Sequence, residues 1–159
     1  MIDWKKYGLL MEACTGYCRE KMVEGNHPLK IASVMFPLIR EHENQEGLYV
    51  IMLDTKMRII GSPLLITLGL LDRSMAHPRE VFKPAILNNA QSIIMAHNHP
   101  SGDLSPSASD KALTKALYRS GEILRINLLD HLILAKTQNG WEYVSLLEQG
   151  EFHSIVKGE

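Results

Sequence analysis

Cysteine is scarce in this chain, with only Cys14 and Cys18 among 159 residues. The pair lies four apart in a segment that reads as helix, where neighbours rarely cross-link, so both are expected to be reduced packing residues. Long hydrophobic runs are missing too, and no stretch approaches the roughly 20 apolar residues of a membrane helix. The start, Met1-Ile2-Asp3-Trp4-Lys5-Lys6, is not followed by a signal-like apolar core and cleavage site. A cytoplasmic protein with no membrane partner is expected. Nor is there an excess of one charge: 17 basic and 18 acidic residues leave −1, with no basic run. Nucleic-acid binders ordinarily carry a basic patch, because phosphate neutralisation dominates affinity. Folding could still gather Arg73, Arg79, Lys83, Lys111, Lys115 and Arg119 on one side, but a solvated scatter is the expectation. What is present, 45% hydrophobic and 22% charged residues, suits one domain with a real core.

The chemistry is concentrated in His97-Asn98-His99-Pro100-Ser101-Gly102-Asp103, followed by Ser107 and Asp110. The apolar run Ser92-Ile93-Ile94-Met95-Ala96 before it reads as a buried strand. Strand side chains repeat every two residues, so His97 and His99 can point the same way. Pro100 stops the ladder, Ser101-Gly102-Asp103 supplies a turn, and residues 107 to 118 read as an amphipathic helix with Leu113, Ala116 and Leu117 inward. A catalytic zinc ion takes three protein ligands and keeps one open position. His97, His99 and Asp110 would supply that number, and Asp103 is a rival third ligand. Ser107-x-x-Asp110 also reads as a capping box, which needs no metal.

Other His-x-His chemistries are short of parts. Zinc deaminases need His-x-Glu with a later Pro-Cys-x-x-Cys, and thermolysin-like proteases need His-Glu-x-x-His. A metal-dependent TIM barrel needs about 250 residues. What remains resembles the JAMM (MPN-plus) metalloprotease pattern: a distant Glu, then His-x-His, seven residues, Ser, two residues and Asp. The flanks resemble the RadC-like branch, through residues 96 to 103, the helix opening His77-Pro78-Arg79-Glu80-Val81-Phe82, and Leu129-Asp130-His131-Leu132-Ile133. The resemblance covers roughly residues 28 to 150. It departs at Leu70, where a small hydroxyl residue is usual, and at Ala135, where Gly is common. Residues 1 to 27 are too short for the helix-hairpin-helix region that precedes this domain in longer members.

The resemblance implies an α/β, cytidine-deaminase-like JAB/MPN fold, a mixed central sheet flanked by helices, here with an extra N-terminal helix. It implies one Zn²⁺ per chain held by His97, His99 and Asp110, with Asp110 preferred over Asp103. It implies Glu46 as general base and Ser107 as donor to the oxyanion. His131 and Asp103 are candidates to brace the site from behind. The reaction implied is hydrolysis of an amide or isopeptide whose substrate the sequence does not identify, nor does it indicate an oligomeric state. Two other classes follow from the same resemblance: a DNA-repair or mobile-element factor acting near nucleic acid, and a non-catalytic MPN-like interaction module. An intact ligand set argues against the last.

The expected organisation is an N-terminal helical extension over residues 1–27, the RadC-like domain over 28–150 and a tail over 151–159. Within it we expect helices over about 3 to 24 and 29 to 41, and strands near 47 to 54, 57 to 61 and 64 to 70. A long helix should start at His77-Pro78-Arg79 and accommodate Pro84 in its early turns. The helix bearing Asp110 is expected to end at Gly121. A strand over about 126 to 135 and an edge strand around Trp141-Glu142-Tyr143 should complete the sheet.

Overall fold

The computed structural model describes residues 24–25, 27–69 and 76–157. The expected N-terminal helix, Cys14, Cys18, Leu70 and Arg73 lie outside them.

Helix α1 (Pro28–Arg40) starts where His27 accepts the Leu29 amide and Pro28 presets the first turn. Strand β1 (Gly47–Leu53) is buried along its whole length, and β2 (Leu64–Leu68) forms one edge of the sheet. Helix α2 (Pro78–Leu87) opens with Pro78 at its first turn and the Glu80 carboxylate accepting the His77 amide. Then come β3 (Ser92–His99), α3 (Ala108–Leu124), β4 (Asn127–Thr137), β5 (Gly140–Ser145) and α4 (Glu151–Lys157).

The five strands lie in the order β2-β1-β3-β4-β5. Among the described residues only the β3–β4 pair is parallel, and α3 makes the crossover between them. The sheet is mixed and covered on both faces, which is why β1 and the start of β3 read as continuous apolar runs rather than alternating ones. Val50, Met52, Ile93 and Met95 face α2, α3 and α4 through Val81, Phe82, Leu113, Leu117 and Phe152. Tyr49, Ile51, Ile94 and Ala96 face α1 through Ile31, Ala32, Met35 and Ile39. This α/β architecture is the one expected. Among the described residues no helix is long and apolar enough to cross a membrane.

Four local expectations need correction. Residues 57 to 61 form no strand; they touch β1 through an isolated Leu53–Ile59 bridge. Asp54 ties the Lys56 and Arg58 amides into a turn, Met57 takes a left-handed backbone, and the pairing with β1 beyond that turn stops at the one bridge. Gly121 does not end α3, which runs to Leu124 with a left-handed Arg125 as its cap. Gly121 sits inside the helix because the Ile126 carbonyl oxygen would lie 2.4 Å from an added Cβ. The inward stripe of α3 is Asp110, Leu113, Thr114, Leu117 and Gly121, with Ala116 only half-buried. The sequence reading also placed no helix at 151–157, where α4 packs Phe152 and Val156 onto the core.

Candidate metal centre

The two histidines end β3 on the face that carries α3. His97 is fully buried and pairs in register with Leu48 of β1 and Ile133 of β4. After His99 the chain turns through Gly102, whose φ of 83° suits a residue without a side chain. The loop returns to the N-terminus of α3, where Ser107 Oγ accepts the Asp110 amide and Asp110 Oδ2 accepts the Ser107 amide. The capping box is therefore real, and it does not compete with a metal role. It delivers the Asp110 carboxylate to the imidazoles, with Oδ1 3.3 Å from His97 Nε2 and Oδ2 3.5 Å from His99 Nε2.

Glu46 comes from the segment just before β1, with Oε1 4.0 Å from His99 Nε2. Ligand atoms of Glu46, His97, His99 and Asp110 all lie within 4.8 Å of one another, a grouping that could hold a metal ion. Asp103, the rival acid, turns its carboxylate away to the Ser105 amide, 2.8 Å distant. Its backbone carbonyl oxygen instead lies 2.6 Å from His99 Nδ1.

The proton positions follow from the partners. A carbonyl can only accept, so His99 Nδ1 carries the hydrogen donated to Asp103 and its Nε2 faces the centre. On the other side Thr114 Oγ1 donates to the Asp110 backbone carbonyl at 2.6 Å. With its one hydrogen committed, the hydroxyl must accept from His131 Nδ1, also 2.6 Å away. Burial, and next the proximity of His97, drives the His131 pKa well below its ordinary value, so the ring is neutral. Its Nε2 is then a bare acceptor, and His97 Nδ1, 2.8 Å from it, must donate. Both histidines thus hold their Nδ1 hydrogens outward and turn Nε2 inward, where the two Nε2 atoms stand 2.8 Å apart.

The electrostatics favour positive charge at that point. Burial alone would raise the Asp110 pKa, but hydrogen bonds with His97 and His99 outweigh it and hold the carboxyl far below its ordinary range. Asp110 in turn raises the pKa of His99 against the effect of burial. A place that favours a proton between two imidazole nitrogens and a carboxylate suits a cation that meets the same lone pairs. Burial raises the Glu46 pKa, opposed by the nearby imidazoles of His97 and His99. An open cleft of about 530 Å³, lined by Glu46, His99, Ser107, Asp110 and the loop between, leads to the centre.

The structure therefore brings together Glu46, His97, His99, Ser107 and Asp110, with His131 behind His97 and the Asp103 backbone behind His99. Sequence reasoning missed Thr114. Its signal was a polar residue four after Asp110 in an otherwise apolar helical stripe, on the same face of the helix.

A family model, the RadC-like JAB domain, matches residues 26–151. A UPF0758 protein of Chlorobium chlorochromatii (strain CaD3) is 45% identical over 108 residues, covering 68% of this chain and 46% of that protein. One from Thermotoga maritima is 47% identical over 107 residues, covering 67% and 46%. One from Methanosarcina acetivorans is 42% identical over 123 residues, covering 77% and 51%. The chain spans about half the length of the curated relatives it matches.

Proposed function

Because this chain belongs to the RadC-like JAB domain family, we propose that it is a zinc-dependent hydrolase of amide or isopeptide bonds, of the JAMM type. The observation that carries the reading is the convergence of two imidazole Nε2 atoms and two carboxylates on one point, with both Nδ1 atoms anchored outward. A set of two nitrogens and a carboxylate oxygen, open to a cleft, has the composition of a catalytic zinc site. His97, His99 and Asp110 would hold one Zn²⁺ per chain. When bound, the ion supplies a coordinated water of lowered pKa and polarises the scissile carbonyl.

The rest of the reaction falls to the protein. Glu46 takes a proton from the attacking water at its carboxylate and hands it to the leaving nitrogen. Its upward-shifted pKa suits a group that must both accept and give. Ser107 uses an oxygen lone pair to cap Asp110, which leaves its O–H free to donate to the developing oxyanion. The open cleft suits an extended peptide or isopeptide branch.

The test joins metal analysis of the purified protein to a proteomic search for cleaved products, comparing the parent with Asp110→Ala. One zinc per chain, and products that vanish in the variant, are expected. A parent with no stoichiometric zinc at neutral pH would overturn the reading.

A further inference from the structure

The residue between the two histidines belongs to the opposite face of β3. Strand alternation sends Asn98 to the side of α1, where its neighbours on the strand, Ile94 and Ala96, pack in an apolar cluster. A carboxamide buried to 1% exposure in such a place needs partners, and it has two. Its Oδ1 accepts the Gly47 amide at 2.9 Å, and its Nδ2 donates to the Gln45 carbonyl at 2.9 Å. Only one orientation of the amide satisfies both contacts. The two bonds straddle one residue, Glu46.

The regular sheet does not hold Glu46. Strand β1 begins at Gly47, and the β1–β3 register begins at the Leu48–His97 pair. The next rung would pair Gly47 with Asn98, and there the Asn98 side chain takes over from the backbone. Gly47 presents its amide to Asn98 Oδ1, and a Cβ added there would stand 3.0 Å from the Tyr49 ring. From the other side the Gly69 amide donates to the Glu46 carbonyl at 2.9 Å. The backbone around Glu46 is thus tied at three points, while its carboxylate stays free to face the histidines.

We propose that Asn98 is the positioning residue for Glu46, holding residues 45 to 47 so that the Glu46 carboxylate faces the metal centre. One strand end then carries both duties, with His97 and His99 ligating on one face and Asn98 aiming the base from the other. The inference rests on the hydrolase reading and specifies how its base is placed.

Asn98→Leu is nearly isosteric and removes both bonds; Asn98→Thr is shorter and favours the strand. The experiment is zinc stoichiometry, thermal melting and crystal structures of the zinc-loaded parent and both variants. At least one variant should fold and take up one zinc, with His97, His99 and Asp110 superimposing on the parent. Its Glu46 carboxylate should be displaced by about 1 Å or more, the scale at which misplaced reacting groups lose about a hundredfold in rate. On any cleaved substrate the loss should fall on kcat with KM nearly unchanged. Glu46 unmoved in a folded, zinc-loaded variant overturns the inference and leaves the hydrolase reading standing. Loss of folding or of zinc in both variants also overturns it, since Asn98 would then serve the strand or the ligands. A parent that binds no zinc overturns the hydrolase reading itself, and this inference with it.

Discussion

His97 Nδ1 lies 2.8 Å from His131 Nε2, and the direction of that hydrogen bond decides which nitrogen of His97 can meet a metal. The direction is imposed from three residues away, by the Asp110 carbonyl that accepts from Thr114. Asp110 therefore acts twice: its carboxylate faces the centre, and its backbone orients the ring of His97 through Thr114 and His131.

Thr114→Val tests that chain. Valine keeps the shape but cannot accept from His131 Nδ1, so neither tautomer of His131 is favoured and His97 Nε2 is no longer held bare. Zinc should bind about 10 to 100 times more weakly, the usual cost of removing a partner behind a ligand. Competition against a chromophoric chelator measures it. Unchanged affinity would show that the hydroxyl does not set the tautomer.

Glu46→Gln removes the proton acceptor but keeps the size and the backbone bonds around it. Zinc content should match the parent, and hydrolysis should fall by about a hundredfold to ten-thousandfold. Turnover equal to the parent would remove Glu46 from its role as base.

Asp130 allows a test of pH dependence away from the ligands. Burial raises its pKa, partly offset by hydrogen bonds from Ser145 and from the Leu147 and His131 amides. A carboxyl whose folded pKa exceeds its unfolded one holds its proton more tightly when folded. Stability is thus lost as pH rises from the unfolded pKa through the raised folded one, and the loss is complete above it. Asp130→Asn keeps an oxygen for the two backbone amides and never ionises. Its stability relative to the parent should climb with pH across that window and then level off, as read by denaturant unfolding at a series of pH values. A pH-independent difference would contradict the buried-charge account.

Gly121→Ala probes the packing that carried α3 past its expected end. The new methyl would lie 2.4 Å from the Ile126 carbonyl oxygen and 3.3 Å from the Phe82 ring, with backbone as the harder obstacle. A loss of about 2 to 3 kcal/mol is expected for overpacking of this kind. Thermal melting checks it, and a melting temperature equal to the parent's would mean that the helix end shifts freely.

Strand β3 was legible because an apolar run stopped by proline has few other readings, and the helix expected over about 29 to 41 lies within a residue of α1 at each end. Asp110 was legible as a cap and as a candidate ligand; the structure shows the cap and turns the same carboxylate toward the two imidazoles. Glu46 was not legible from local pattern, since Glu41 and Glu43 lie beside it with the same composition, and only likeness to a family singled it out. Gly121 misled because glycine is a common stop signal, whereas here it makes room for the Ile126 carbonyl just before β4.

By itself, the sequence determined the chemistry available at one strand end: two imidazoles in phase, a turn, and a capping acid one loop away. These are local properties, set by the two-residue period of a strand and by helix-start chemistry. Only the tertiary structure decided which acid faces the imidazoles, which nitrogens carry protons and what aims Glu46. Those decisions rest on contacts between residues far apart in the chain, His97 to His131 across 34 positions and Asn98 to Gly47 across 51. No local periodicity encodes such pairs, because strand order and register bring them together.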